Sequence, residues 1–167
     1  MNDQTLLTLA AAILTGRIGD GPAALTKALH LAPTALTDEH VTLTHAQRDR
    51  LRYLFTDYEW MLAKKMAVLD ATDPEEGGIV ARYQAAKARI ARSWLAAPNL
   101  ATRYVKEPLP DGGQLMHLQL RLDYGEHGLV DVLDFVVPET VAKHIEAKQI
   151  DLLTWAKQYL LAEPKTE

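Results

Sequence analysis

Residues 114–124 read QLMHLQLRLDY, residues 125–128 read GEHG, and residues 129–137 read LVDVLDFVV. The first segment alternates strictly. Met116, Leu118, Leu120, Leu122 and Tyr124 fall on one side, and His117, Gln119, Arg121 and Asp123 on the other. Such a period of two marks a half-buried strand. The glycine-bounded GEHG is a turn, and Leu129–Val137 is a second strand. With Tyr124 opposite Leu129, the facing pairs are Leu122–Asp131, Leu120–Leu133, Leu118–Phe135 and Met116–Val137. One face then becomes apolar except at Asp131, and Arg121 lies diagonal to Asp134 on the other face. A slip of one residue would mix the faces, so the pattern specifies this register. Two strands alone are marginal, and Thr102–Lys106 is a candidate third strand.

Outward from the hairpin the character changes. Pro138-Glu139 opens a last helix carrying Val141, Ile145, Leu152, Leu153, Ala156, Tyr159 and Leu160. Asp151 is placed to cap a fresh helix within it, and Pro164 ends it. Upstream, Pro98, Pro108, Pro110 and Asp111-Gly112-Gly113 punctuate a loop region. Before Pro98 the period is helical. A first helix spans 5–15 and stops at Gly16. A second starts at Asp20-Gly21-Pro22, a capping carboxylate followed by a first-turn proline, and runs to about Leu31. Pro33 breaks it, and a short helix covers 33–40. Thr44 with Gln47 forms a capping box for a helix over 45–70. Its repeat is Leu51, Leu54, Phe55, Tyr58, Met61, Leu62, Met66 and Leu69, interrupted at Lys65. The turn-rich 72–78 leads to a helix over 79–97, which makes an αα-hairpin with its predecessor. The expected fold is α+β and mainly α: short N-terminal helices, a long αα-hairpin, then a β-hairpin with a C-terminal helix. Residues 1–97 form a helical domain and 98–167 a small β-hairpin-plus-helix unit.

The chain of 167 residues is 48% hydrophobic and 24% charged, enough for a real core in a water-soluble chain. A net charge of -4 argues against wholesale wrapping of nucleic acid, which needs many phosphate neutralisations. There is no cysteine, which excludes disulfides, thiolate nucleophiles and cysteine-based metal sites. The N-terminus has no basic stretch, and Leu6–Leu14 is too short to span a bilayer. A cytoplasmic location with no membrane partner is the default expectation.

Three constellations could carry function. Residues 25–36, LTKALHLAPTAL, resemble the centre of a helix-turn-helix, with Leu25, Leu29, Leu31 and Leu36 at the packing positions and Pro33-Thr34 opening the reading helix. The resemblance implies DNA binding, as by a regulator; a phage packaging subunit fits by architectural analogy, a DNA-reading head preceding a helical oligomerisation hairpin. His30 replaces the usual turn glycine and Thr26 the usual alanine. The would-be reading face, Pro33, Thr34, Thr37, Asp38, lacks the Arg, Lys, Asn and Gln that read bases best. A plain pair of core helices accounts for it better. Second, from Gly77 to Lys106 no acidic residue occurs, while Arg82, Lys87, Arg89, Arg92, Arg103 and Lys106 do. These are the candidate contacts for phosphates or an acidic partner, set against an ordinary solvated face matched by Asp57 and Glu59. Third, Asp123, Glu126, His127 and Asp131 gather at the hairpin end, where a metal or acid–base site is conceivable but turn chemistry is the commoner cause.

His40 and His45 match no metal spacing, and no phosphate loop, dinucleotide fingerprint, nucleophile elbow or zincin motif occurs. No catalytic residue, cofactor or metal ligand is expected. The expected role is that of an accessory or assembly protein acting through contacts with itself or another protein, a homo-oligomer being one form of it. The helix-turn-helix DNA binder is the alternative.

Overall fold

A computed structural model describes residues 2–72, 78–151, 154–156 and 158. It divides into two compact units, Met1–Lys87 and Ala88–Glu167. The division falls inside a helix, earlier than the Pro98 at which the composition shifts.

In the first unit, helix α1 spans Asp3–Ile18, opened by the Asn2 carboxamide oxygen accepting from the Gln4 amide. It runs through Gly16, the expected stop, and ends at Gly19, whose φ of 86° suits only glycine. Its N-terminal half is wholly buried at Leu6, Leu7, Leu9 and Ala10, so α1 is the centre of this unit. Helix α2 (Gly21–Leu29) is capped by Asp20, as its sequence predicts. A Cβ on Gly21 would lie 2.0 Å from the Ala11 carbonyl oxygen and 2.5 Å from the Thr15 nitrogen. Glycine is therefore required here for the close crossing of α1 and α2. His30 ends α2 in the left-handed region (φ 53°), the conformation the expected turn glycine would have served. The helix anticipated over 33–40 is a four-residue 3-10 turn, Pro33–Leu36.

Helix α3 spans His45–Arg52 and opens with the Thr44–Gln47 capping box, both reciprocal hydrogen bonds formed. The single helix expected over 45–70 is broken. A turn at Tyr53–Phe55 intervenes, and α4 (Asp57–Thr72) starts on a second capping box. The Glu59 amide donates to Thr56 Oγ1 and the Thr56 amide donates to Glu59 Oε2, each at 3.2 Å. The Thr-x-x-Glu signature was present in the sequence. The long apolar repeat across it concealed the break. Helix α5 (Gly78–Trp94) follows; within the first unit its Lys87 Nζ lies on Glu59 Oε1 of α4 at 2.7 Å, and its Tyr83 stands edge-on to Phe55 of the turn before α4. Most of the turn read at 72–78 lies outside the described residues.

The second unit holds a three-stranded antiparallel sheet, order β1-β2-β3, of Leu100–Pro108, Gln114–Asp123 and Val130–Val136. The candidate third strand is thus β1, longer than Thr102–Lys106. The register is the one read from the alternation: Leu118 faces Phe135, Leu120 faces Leu133, and Leu122 faces Asp131. The Tyr124 amide donates to Leu129 and the Val137 amide to Met116, which extends it at both ends. Leu120 and Leu133 are fully buried. Asp131, the odd member of the apolar face, accepts a 2.7 Å hydrogen bond from the Tyr124 hydroxyl at the exposed end.

Helix α6 (Glu139–Glu146) lies over this face. Glu146 accepts from the Tyr104 hydroxyl (3.2 Å) and pairs with Lys106 (2.8 Å), two β1 residues that share the face with Leu118 and Met116. Burial and then the Glu146 hydrogen bond push the Tyr104 phenol up to about 12. Beyond α6, Asp151 accepts from the Thr154 amide at 3.2 Å, the fresh cap its position predicts. Leu152, Leu153, Tyr159, Leu160 and Pro164 lie outside the described residues. On the opposite face Asp134 meets His117, Nδ1 to Oδ2 at 2.7 Å, and the other ring nitrogen lies 3.2 Å from Glu107. Among the described residues no helix is long and apolar enough to cross a membrane.

Candidate functional site

The site grows from a rotation of the buried side of α4 relative to its apolar repeat. Apolar residues occur all round this helix, so periodicity alone does not fix which side is buried. The repeat read from sequence put Met61 and Leu69 in the core. The fold keeps Phe55, Leu62 and Met66 of that repeat inward, but the helix is rotated part-way round, so that Glu59, Ala63 and Ala67 are buried with them and Met61 and Leu69 are not. Besides Leu62 and Met66, this inner side carries two alanines and a carboxylate. The alanines let α4 approach α1 closely. The carboxylate is tolerable because it is saturated: Glu59 is 2% exposed and holds both the Thr56 amide and the ammonium of Lys87, itself 7% exposed. Removing one partner of such a pair would strand a buried charge and be strongly destabilising. Beside it lies Tyr83, 1% exposed, whose hydroxyl has no hydrogen-bond partner among the described residues. Burial first, and then the Glu59 charge, push its phenol far above the ordinary value.

The consequence is the outer side. Met61, Val68 and Leu69 stay 49%, 48% and 49% exposed, and they follow one another at helical spacing with Lys65 between them. An open apolar hollow of about 560 Å³ lies against Met61, Lys64, Lys65, Val68 and Leu69. Single exposed apolar residues are ordinary, whereas a contiguous row is characteristic of a contact surface. Lys64 leans over the Trp60 ring at 5.8 Å, close enough for a cation–π contact, and Lys65 is exposed. Neither lysine has a carboxylate in ion-pair range among the described residues.

Comparison with protein-family models, with curated proteins and with solved structures gives no match.

The basic residues singled out from the sequence do not act alike. Lys87 is buried against Glu59. Arg82 is half-buried and lies 3.7 Å from Asp70, which also accepts from Thr5. Lys106 pairs with Glu146 at the sheet edge. Arg89, Arg92 and Arg103 are exposed. Arg82, Lys87 and Lys106 therefore serve the fold.

The acidic hairpin end is also spent locally. Asp123 accepts from the Gly125 amide at 2.8 Å, shaping the turn, and Asp131 holds Tyr124. No group of three His, Asp or Glu side chains suited to a metal occurs among the described residues. His45 lies 3.5 Å from Asp49, its neighbour one helical turn on.

The helix-turn-helix segment departs further from its motif in three dimensions, since a 3-10 turn stands where the reading helix belongs. The nearby arginines of α3 are engaged. Arg48 chelates Asp3 with bonds of 3.2 and 2.7 Å, Arg50 donates to the Ala28 carbonyl, and Arg52 pairs with Asp57.

Sequence reasoning missed the α4 surface. The signal was available in two places: the Lys65 interruption of the apolar repeat, and the Thr56–Glu59 box that resets the helix phase.

Proposed function

We propose that this protein is a non-catalytic accessory or assembly protein that works through protein–protein contacts, with the outer side of α4 as its contact surface. The observation that carries this reading is the rotated buried side of α4. The helix buries Leu62, Met66, two alanines and one carboxylate of an ion pair, while Met61, Val68 and Leu69 face outward. Turning the larger apolar side chains inward would ordinarily stabilise a fold by roughly 1.5–3 kcal/mol for each. Departures from local consistency of this kind tend to mark functional surfaces.

Self-association through this face is one form of the reading. DNA binding through 25–40 has less support, because the four-residue turn offers no reading helix and the neighbouring arginines are occupied within the fold. The exposed Arg89, Arg92 and Arg103 would favour phosphate contact without base preference, strongly weakened by salt.

The reading is tested by placing a photoreactive phenylalanine analogue at Val68, or at the exposed His45 as a control, in the full chain within its native cell. A discrete protein adduct at position 68 and none at 45 is the expected result. Equal labelling at both positions, or no adduct at 68, would contradict it. An adduct of twice the chain mass would identify a second copy as the partner.

A further inference from the structure

We infer that the α4 face receives an amphipathic helix of another protein whose apolar row is flanked by aspartate or glutamate; this rests on the contact-surface reading above and specifies its partner. Lys64 and Lys65 sit within the same open hollow as Met61, Val68 and Leu69. No carboxylate is in ion-pair range of either lysine among the described residues, whereas Arg48, Arg52, Arg82, Lys87, Lys106 and Lys143 each have one. The face therefore offers an apolar row with positive charge embedded in it. A helix laid in such a groove supplies apolar anchors at helical spacing, and acidic flanks complement the lysines.

Charge also decides against the other occupants. A second copy pairing symmetrically through Met61, Val68 and Leu69 has its two-fold axis near Lys65 when the helices run antiparallel. In a parallel pair each residue meets itself. Both arrangements set lysines against lysines. An anionic membrane prefers an apolar centre with cations at the margin. Here Lys65 interrupts the row, and the chain as a whole carries -4.

The test uses the full chain and two designed helical peptides with one leucine row in common, one flanked by glutamate and the other by lysine, with binding followed by fluorescence anisotropy. The glutamate-flanked peptide is expected to bind about tenfold more tightly than the lysine-flanked one, from a few partly screened charge pairs. The preference should shrink as salt rises. Lys64→Glu with Lys65→Glu should reverse it, and Val68→Glu should abolish binding while leaving the circular dichroism unchanged.

Equal affinity for both peptides, lost in Val68→Glu, would overturn the acidic partner and leave the contact surface standing. Binding of neither peptide would also overturn it, as would capture by phosphatidylserine-containing vesicles without peptide binding. A second copy found in the crosslinking experiment at position 68 would do the same and keep the contact reading intact.

Discussion

Three residues carry unequal shares of the first unit's stability. Gly21 is needed for space, since its φ is ordinary and its added Cβ would strike backbone atoms of Ala11 and Thr15. Gly21→Ala is expected to cost more than about 2 kcal/mol in urea unfolding, against a small gain at an unhindered site. Glu59 is needed for charge. Glu59→Ala strands the buried Lys87 ammonium and should cost about 3–5 kcal/mol, whereas Glu59→Leu with Lys87→Met should recover most of that loss. A double-mutant cycle in thermal unfolding separates the two. Asp3 links stability to pH. Burial raises its pKa, but the Arg48 chelation and the Leu43 amide outweigh this and hold it below the usual carboxylate value. A depressed folded pKa means that the unfolded chain binds the proton first. Asp3 thus stabilises fully above about pH 4 and loses that contribution as pH falls through its folded pKa. Asp3→Asn should be less stable at neutral pH, and the gap should close in acid denaturation series.

At the scale of elements, what the sequence disclosed depended on whether the signal was local. The hairpin register was legible because two strands with period two constrain each other across a short turn. Leu120→Asp should accordingly cost several kcal/mol, burying an unpaired charge opposite Leu133. Chemical denaturation checks this, and an unchanged midpoint would refute the register. The caps at Asp20, Thr44 and Asp151 were legible for the same reason, each being a contact within a few residues. The α3–α4 break was overlooked despite the Thr56–Glu59 box that marks it, because apolar spacing continues across Tyr53–Thr56 as if one helix ran through it. The inner side of α4 was not legible. Glu59 can be buried only because Lys87, far along the chain, returns to meet it, and a hydrophobic count gives no credit to a satisfied carboxylate. His30 shows the converse case. Read from the sequence as a departure from the motif's turn glycine, it takes the left-handed conformation that glycine would serve, yet that geometry closes α2 without opening a reading helix.

Across the whole molecule, the helical unit and the sheet unit each possess a core, and the candidate site was only partly foreshadowed. The basic run from Arg82 to Lys106 was visible as composition, but composition does not distinguish Lys87, buried in an ion pair, from the exposed Arg89. In the proposed function, α4 keeps Met61, Val68 and Leu69 outward for a partner. That claim has a direct measurement, the urea unfolding free energy of the variant Met61→Gln, Val68→Gln, Leu69→Gln. If the outer side of α4 is a surface kept for a partner, the variant should unfold within about 1 kcal/mol of the parent, as surface changes do. If those side chains belong to the core, the loss should reach several kcal/mol, on the scale of large-to-small core substitutions, and the account of α4 would be wrong.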